Sequence, residues 1–117
     1  MKIWLIDDDK IQHIVNKRTV KRVVPDAVIK IYEGASKALE DLMSGNKPDL
    51  LFLDLNMPIM SGFDFLDRTR EQGIDVNVIV LSSSIDPADI ERSYGYANVV
   101  SYVTKAISVD KVKQYLR

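Results

Sequence analysis

Ile3-Trp4-Leu5-Ile6-Asp7-Asp8-Asp9 and Leu50-Leu51-Phe52-Leu53-Asp54 are short, continuously apolar runs that stop at acids. Two more runs share the pattern: Val78-Ile79-Val80-Leu81 ends in Ser82, and Val99-Val100-Ser101-Tyr102-Val103-Thr104 ends in Lys105. Apolar runs of this length, rich in β-branched residues, suit parallel strands covered on both faces. In one parallel sheet, all four polar ends emerge at the same edge, where ligands of open α/β sheets bind. An acid pair, a lone acid, a hydroxyl and an ammonium then share a small volume.

The rest of the chain reads as (βα)5. The strands are expected at 2–7, 27–33, 49–54, 76–82 and 99–104. Lys30 and Tyr32 break the second run and mark it as an edge. The clearest helix is 35–44, with Ala35, Ala38, Leu39, Leu42 and Met43 on one stripe and Gly45 as its stop. Asp86-Pro87 is a cap followed by a first-turn proline, predicting a helix over 87–96. Ser108 caps a last helix facing inward through Val109, Val112, Tyr115 and Leu116. A helix over 10–23, capped by Asp9, is expected to face inward through Ile11, Ile14 and Val15, and one over 63–72 through Phe63 and Leu66. Right-handed crossovers put helices on both faces.

With 117 residues, the chain suits one domain over 1–117. A net charge of −1 gives no general pull toward nucleic acid or anionic membrane. Without cysteine, disulfides and thiolate metal sites are excluded. Four-to-six-residue apolar runs are far below the roughly 20 needed to span a bilayer, and Met1-Lys2-Ile3-Trp4 is too short an apolar start for a signal peptide. A cytoplasmic protein is expected, with output through protein contacts.

Asp7, Asp8 and Asp54 crowd three carboxylates. At an effective dielectric of 20, two such charges about 5 Å apart repel by roughly 3 kcal/mol. A divalent cation removes that cost, and an all-oxygen ligand set favours Mg²⁺ over Zn²⁺. Asp54 can attack a phosphoryl group and form an acyl phosphate. Lys105 and Ser82 are then placed to bind its oxygens.

At this point a resemblance applies to the whole chain. Leu5-Ile6-Asp7-Asp8-Asp9 resembles the first acidic motif of the receiver domains of two-component response regulators. Asp54-Leu55-Asn56-Met57-Pro58-Ile59-Met60-Ser61-Gly62 resembles their phosphorylation loop. Ser82, Tyr102 and Lys105 match the family's Ser/Thr, switch-aromatic and lysine positions. The resemblance implies a flavodoxin-like, doubly wound sheet with strand order 2-1-3-4-5, and a phospho-acceptor that promotes only its own phosphoryl transfer and dephosphorylation. Asp54 would take the phosphoryl group from a histidine kinase or phosphotransfer protein. Asp8, Asp54 and the carbonyl of Asn56 would ligate Mg²⁺, with Asp7 acting through water. Movement of Ser82 and inward rotation of Tyr102 would report to a downstream protein through 86–117, or to a second copy in a phosphorylation-linked homodimer. Asn56 and Ser84 would tune the acyl phosphate's lifetime. One departure stands out: Ala106 follows Lys105 where the family usually has a cis proline. A non-proline cis bond costs about 2.5–4 kcal/mol, so a trans bond is expected here.

Bland alternatives weigh against several residues. His13 reads as a helix-surface residue rather than a phosphoryl donor. Trp4 and Phe52 read as core. The Lys17-Arg18 and Lys21-Arg22 pairs read as a solvated helix face. Two other functions compete. Asp7-Asp8-Asp9 supplies the Asp-x-Asp of a haloacid-dehalogenase-type phosphatase, but Ile11 stands where that family wants Thr or Val. A degenerate receiver would bind partners without phosphorylation.

Overall fold

The computed structural model describes residues 1–105 and 107–116. Five strands alternate with five helices: β1 (Lys2–Ile6), α1 (Lys10–Val23), β2 (Val28–Tyr32), α2 (Ala35–Met43), β3 (Leu50–Leu53), α3 (Gly62–Glu71), β4 (Val78–Ser82), α4 (Pro87–Tyr94), β5 (Val99–Thr104) and α5 (Val109–Leu116). The strands form one parallel sheet in the order β2-β1-β3-β4-β5, the flavodoxin-like doubly wound arrangement expected.

Side chains alternate across each strand, so the sheet divides the interior into two cores. Ile3, Leu5, Leu50, Phe52, Ile79 and Leu81 pack with Val20 of α1 and Val112 of α5. Trp4, Ile6, Leu51, Leu53, Val78 and Val80 face the other way, against Leu39 and Leu42 of α2 and Phe65 and Leu66 of α3. β1, β3 and β4 thus have no solvent face, which is why their sequences show no polar alternation. β2 is the expected edge, and its Val28 and Ile31 are exposed.

The helix ends follow local chemistry. The Asp9 carboxylate accepts from the N–H groups of Ile11 and Gln12, as its cap assignment requires. Asp86 accepts from Ala88 N–H, with Pro87 opening α4. Ser61 and Asp64 form a reciprocal capping box on α3.

Several inward faces differ from expectation. In α1, Ile11, Ile14 and Val15 are exposed, while His13, Asn16 and Val20 are buried. His13 is therefore not a surface residue. The cap at Asp9 and the short turn from β1 set the helix phase, and apolar spacing has no vote. In α2, Met43 is exposed, and Asp41 goes inward instead. Asp41 accepts from Tyr32 Oη at 2.6 Å and Lys30 Nζ at 2.9 Å, which ties α2 to β2. Those bonds, the tyrosine's foremost, hold its carboxyl well below the usual carboxylate range. In α3, Phe65 is fully buried and Phe63 only partly. The trans Lys105–Ala106 bond and the Leu116 side chain lie outside the described residues.

Gly62 opens α3 directly against the end of β3. A Cβ there would meet Asp54 O at 2.5 Å and Leu55 Cα at 2.7 Å. Both are backbone atoms that cannot swing aside. Gly62→Ala should therefore cost about 1–3 kcal/mol of unfolding free energy, the usual range for overpacking. Urea denaturation measures this, and an unchanged midpoint would refute the packing argument.

Candidate functional site

Strand register assembles the acidic cluster. Ile6 of β1 pairs with Leu53 of β3, so the next residues, Asp7 and Asp54, emerge side by side. The hydrogen-bond ladder runs one step past the strands: Asp7 N–H donates to Tyr32 O at 3.1 Å and Asp54 N–H to Ile6 O at 3.0 Å. Ser82 pairs with Thr104, and Lys105 N–H donates to Ser82 O at 2.9 Å. A register shift between Val78 and Ile79 leaves Val100 unmatched on β5. This bulge sets the phase of the strand's second half, which directs Ser101 and Val103 inward and leads into Lys105. Nothing in the sequence marks it.

Carboxylate oxygens of Asp7, Asp8 and Asp54 lie within 4.8 Å of one another. Asp7 and Asp54 are buried and Asp8 is exposed. Lys105 Nζ reaches Asp7 Oδ2 at 2.8 Å and Asp54 Oδ2 at 3.4 Å. Three carboxylates and one ammonium leave two negative charges in the cluster. An all-oxygen donor set with that residual charge fits a hard divalent cation.

Burial raises the Asp54 pKa above the usual carboxylate range, and the neighbouring Asp7 charge raises it further; Lys105 and the Asn56 N–H oppose the shift. For Lys105, burial disfavours the ammonium. The hydrogen bond that Lys105 donates to Asp7 and the Asp54 charge outweigh it, and the pKa stands above its ordinary value.

The remaining predicted residues surround this cluster. Asn56 has an exposed side chain, and its N–H donates to Asp54 Oδ1 at 3.3 Å. Ser82 is fully buried, and its Oγ accepts from Ser84 N–H at 3.1 Å. Tyr102 is half-buried, and its hydroxyl donates to Ser84 O at 2.8 Å. Ser84 Oγ donates to Asp89 of α4 at 2.6 Å. Tyr94, also on α4, accepts from Tyr102 N–H at 2.9 Å.

Two further residues border the cluster. His13 Nε2 lies 2.6 Å from the carbonyl oxygen of Asp7, and Asn16 lies buried beside Asp7 and Asp54. Their spacing with Val20 (13, 16, 20) is the helical signal that marks a buried stripe, but polar side chains disguise it.

Comparison with known proteins agrees with this geometry. A family model described as "Response regulator receiver domain" matches residues 3–117. The "Probable C4-dicarboxylate response regulator DctR" of Bacillus subtilis (strain 168) is 32% identical over 118 residues, covering 98% of this chain and 50% of that protein. The "Two-component response regulator ORR41" of Oryza sativa subsp. japonica is 25% identical over 113 residues, covering 96% and 88%. The chain thus spans about half the length of the bacterial DctR relatives it matches. A two component response regulator structure from Cytophaga hutchinsonii superposes with a TM-score of 0.83 at 26% identity, covering 97% of this chain and 91% of that one. A signal receiver domain from Vibrio parahaemolyticus superposes with a TM-score of 0.86 at 24% identity, covering 98% and 85%.

A carboxyl whose folded pKa lies above its unfolded value costs stability while it is ionised. That cost is full above the folded pKa and gone below the unfolded one. Metal-free Asp54→Asn should therefore melt higher than wild type at pH 7, by about 4 °C if roughly 1 kcal/mol is relieved. The gap should close as pH falls through the carboxylate range. Thermal unfolding in a chelator checks this, and a pH-independent gap would contradict the cause assigned to it.

Proposed function

The chain belongs to the response regulator receiver domain family, a phospho-acceptor module and not a conventional enzyme, and on that premise we propose that it is a signalling switch phosphorylated on Asp54. The observation that carries this reading is the placement of Lys105 Nζ between Asp7 and Asp54 at the mouth of the three-carboxylate cluster.

Asp54 supplies the nucleophile. One Oδ attacks phosphorus on a phosphohistidine; the P–N bond breaks, its electron pair leaves with the imidazole nitrogen, and an acyl phosphate remains. Lys105 opposes the rise that burial gives the Asp54 pKa. It then turns from Asp7 toward a phosphoryl oxygen, and the Ser82 hydroxyl binds another. Asp8, Asp54 and the carbonyl of Asn56 would hold Mg²⁺, with Asp7 acting through water. When bound, the ion supplies charge neutralisation for the phosphoryl oxygens. The phosphatase alternative has no support from a family model that runs the length of the chain.

The output runs through Ser84. Its N–H donates to Ser82 Oγ, its Oγ holds Asp89, and its carbonyl holds Tyr102. Turning Ser82 toward a phosphoryl group removes the acceptor of Ser84 N–H. That perturbs α4 and β5 together, with Tyr102 rotating further inward. Moving such a switch from 1:99 to 99:1 needs about 5.5 kcal/mol. Two or three charge-assisted hydrogen bonds at about 1.5–3 kcal/mol each are of that order. The partners on this reading are a histidine kinase or phosphotransfer protein and a downstream protein docking on 86–117. A phosphorylation-linked homodimer would use a second copy, and the setting is cytoplasmic. Nucleic acid and membrane have no part in it.

Intact mass spectrometry after treatment with phosphoramidate and Mg²⁺ should show one added phosphoryl group, labile to hydroxylamine and lost in Asp54→Asn. Labelling of Asp54→Asn at the wild-type rate would overturn the acceptor assignment. An unlabelled wild type would favour a phosphorylation-independent binding module.

Amide shifts on adding beryllofluoride and Mg²⁺ should spread from residues 54 and 82 into Pro87–Tyr94, Val99–Thr104 and α5. Changes confined to the acidic cluster would rule out the switch.

A further inference from the structure

The first acidic turn carries an asymmetry. Asp7 is held on three sides: its Oδ1 accepts from Asp9 N–H at 2.9 Å, its Oδ2 meets Lys105, and its carbonyl oxygen lies 2.6 Å from His13 Nε2. Asp8, the exposed member of the cluster, has no side-chain hydrogen bond or ion pair among the described residues. Its aim depends on its backbone alone. The carbonyl of Asp7 and the N–H of Asp8 belong to one planar peptide unit. Whatever grips that carbonyl therefore sets the plane from which the Asp8 side chain projects.

We propose that His13 is a positioning residue for the acidic cluster, fixing the Asp7–Asp8 peptide and through it the Asp8 carboxylate. The proposal rests on the reading above that this cluster binds Mg²⁺ for phosphoryl transfer. A carbonyl cannot donate, so Nε2 carries the proton and donates to Asp7 O. The ring is buried, and its Nδ1 has no partner among the described residues. A ring nitrogen buried without a partner has a cost that a leucine would avoid. The compensation is the single short bond to Asp7. Farther along the same stripe, away from the acids, the inward residue is Val20. The polar choice is thus confined to the end of α1 that passes the cluster.

The test compares three substitutions. Glutamine can place an amide N–H near the position of Nε2; asparagine is too short to do so; leucine fills the space without a donor. Calorimetric titration with Mg²⁺ should show affinity about tenfold weaker for His13→Leu and His13→Asn, at the low end for an outer-shell partner. His13→Gln should stay within about threefold of wild type on the same scale. The ¹⁵N shift of the Asp8 amide, read without metal, should move in His13→Leu and return toward wild type in His13→Gln. Wild-type Mg²⁺ affinity in His13→Leu, or equal loss in the Gln and Asn variants, would overturn the proposal. If His13→Leu fails to fold, the Gln and Asn pair still decides it. If wild type binds no Mg²⁺, the functional reading fails, while the metal-free Asp8 shift still decides the role of His13.

Discussion

The ammonium of Lys105, held 2.8 Å from Asp7 and 3.4 Å from Asp54, is the interaction on which the site depends. Two carboxylates are buried here, 4% and 5% exposed, at the edge of a sheet whose strands are otherwise apolar on both faces. Unpaired, they would protonate or force the strand ends apart. One ammonium offsets part of that cost and leaves a residual negative charge. The pocket is stable enough to form and still short of positive charge, which suits it to a divalent cation and a phosphoryl group.

The backbone makes this arrangement inexpensive to specify. β1 and β3 pair residue for residue, so two acids that directly follow two apolar runs must meet. Gly62 lets α3 start against the Asp54 carbonyl, which keeps the loop after β3 tight. On the far side, β4 and β5 bring Ser82 and Lys105 into line, and Ser84 joins that line to α4 and to Tyr102. Ser82, on the strand next to the one that leads into Asp54, thus holds the turn that ties these two elements in place.

Much of this was legible in the sequence, because strands buried on both faces leave uninterrupted apolar runs and their polar ends are conspicuous. Two helix starts were legible because Asp9 and Asp86 satisfy backbone N–H groups locally, whereas the Ser61 capping box lies inside a loop read for its chemistry. Helix faces were harder. In α1 the apolar residues Ile11, Ile14 and Val15 face solvent, because the turn from β1 sets the rotation and the site claims the inward positions for His13 and Asn16. In α2 the buried Asp41 is held by Lys37, four residues earlier on the same helix, and by Lys30 and Tyr32, which belong to another element and give no local signal. The bulge at Val100 is likewise a property of pairing, not of the residues in β5.

We propose that Lys105 serves as a movable counter-ion: paired with Asp7 in the resting pocket and with the phosphoryl group once Asp54 is modified. A crystal structure with Mg²⁺ and beryllofluoride measures this directly. The adduct is expected on Asp54, with Lys105 Nζ bonded to a fluorine and Ser82 Oγ turned from Ser84 N–H toward the adduct. Lys105 still bonded to Asp7, with no contact to an adduct on Asp54, would contradict it.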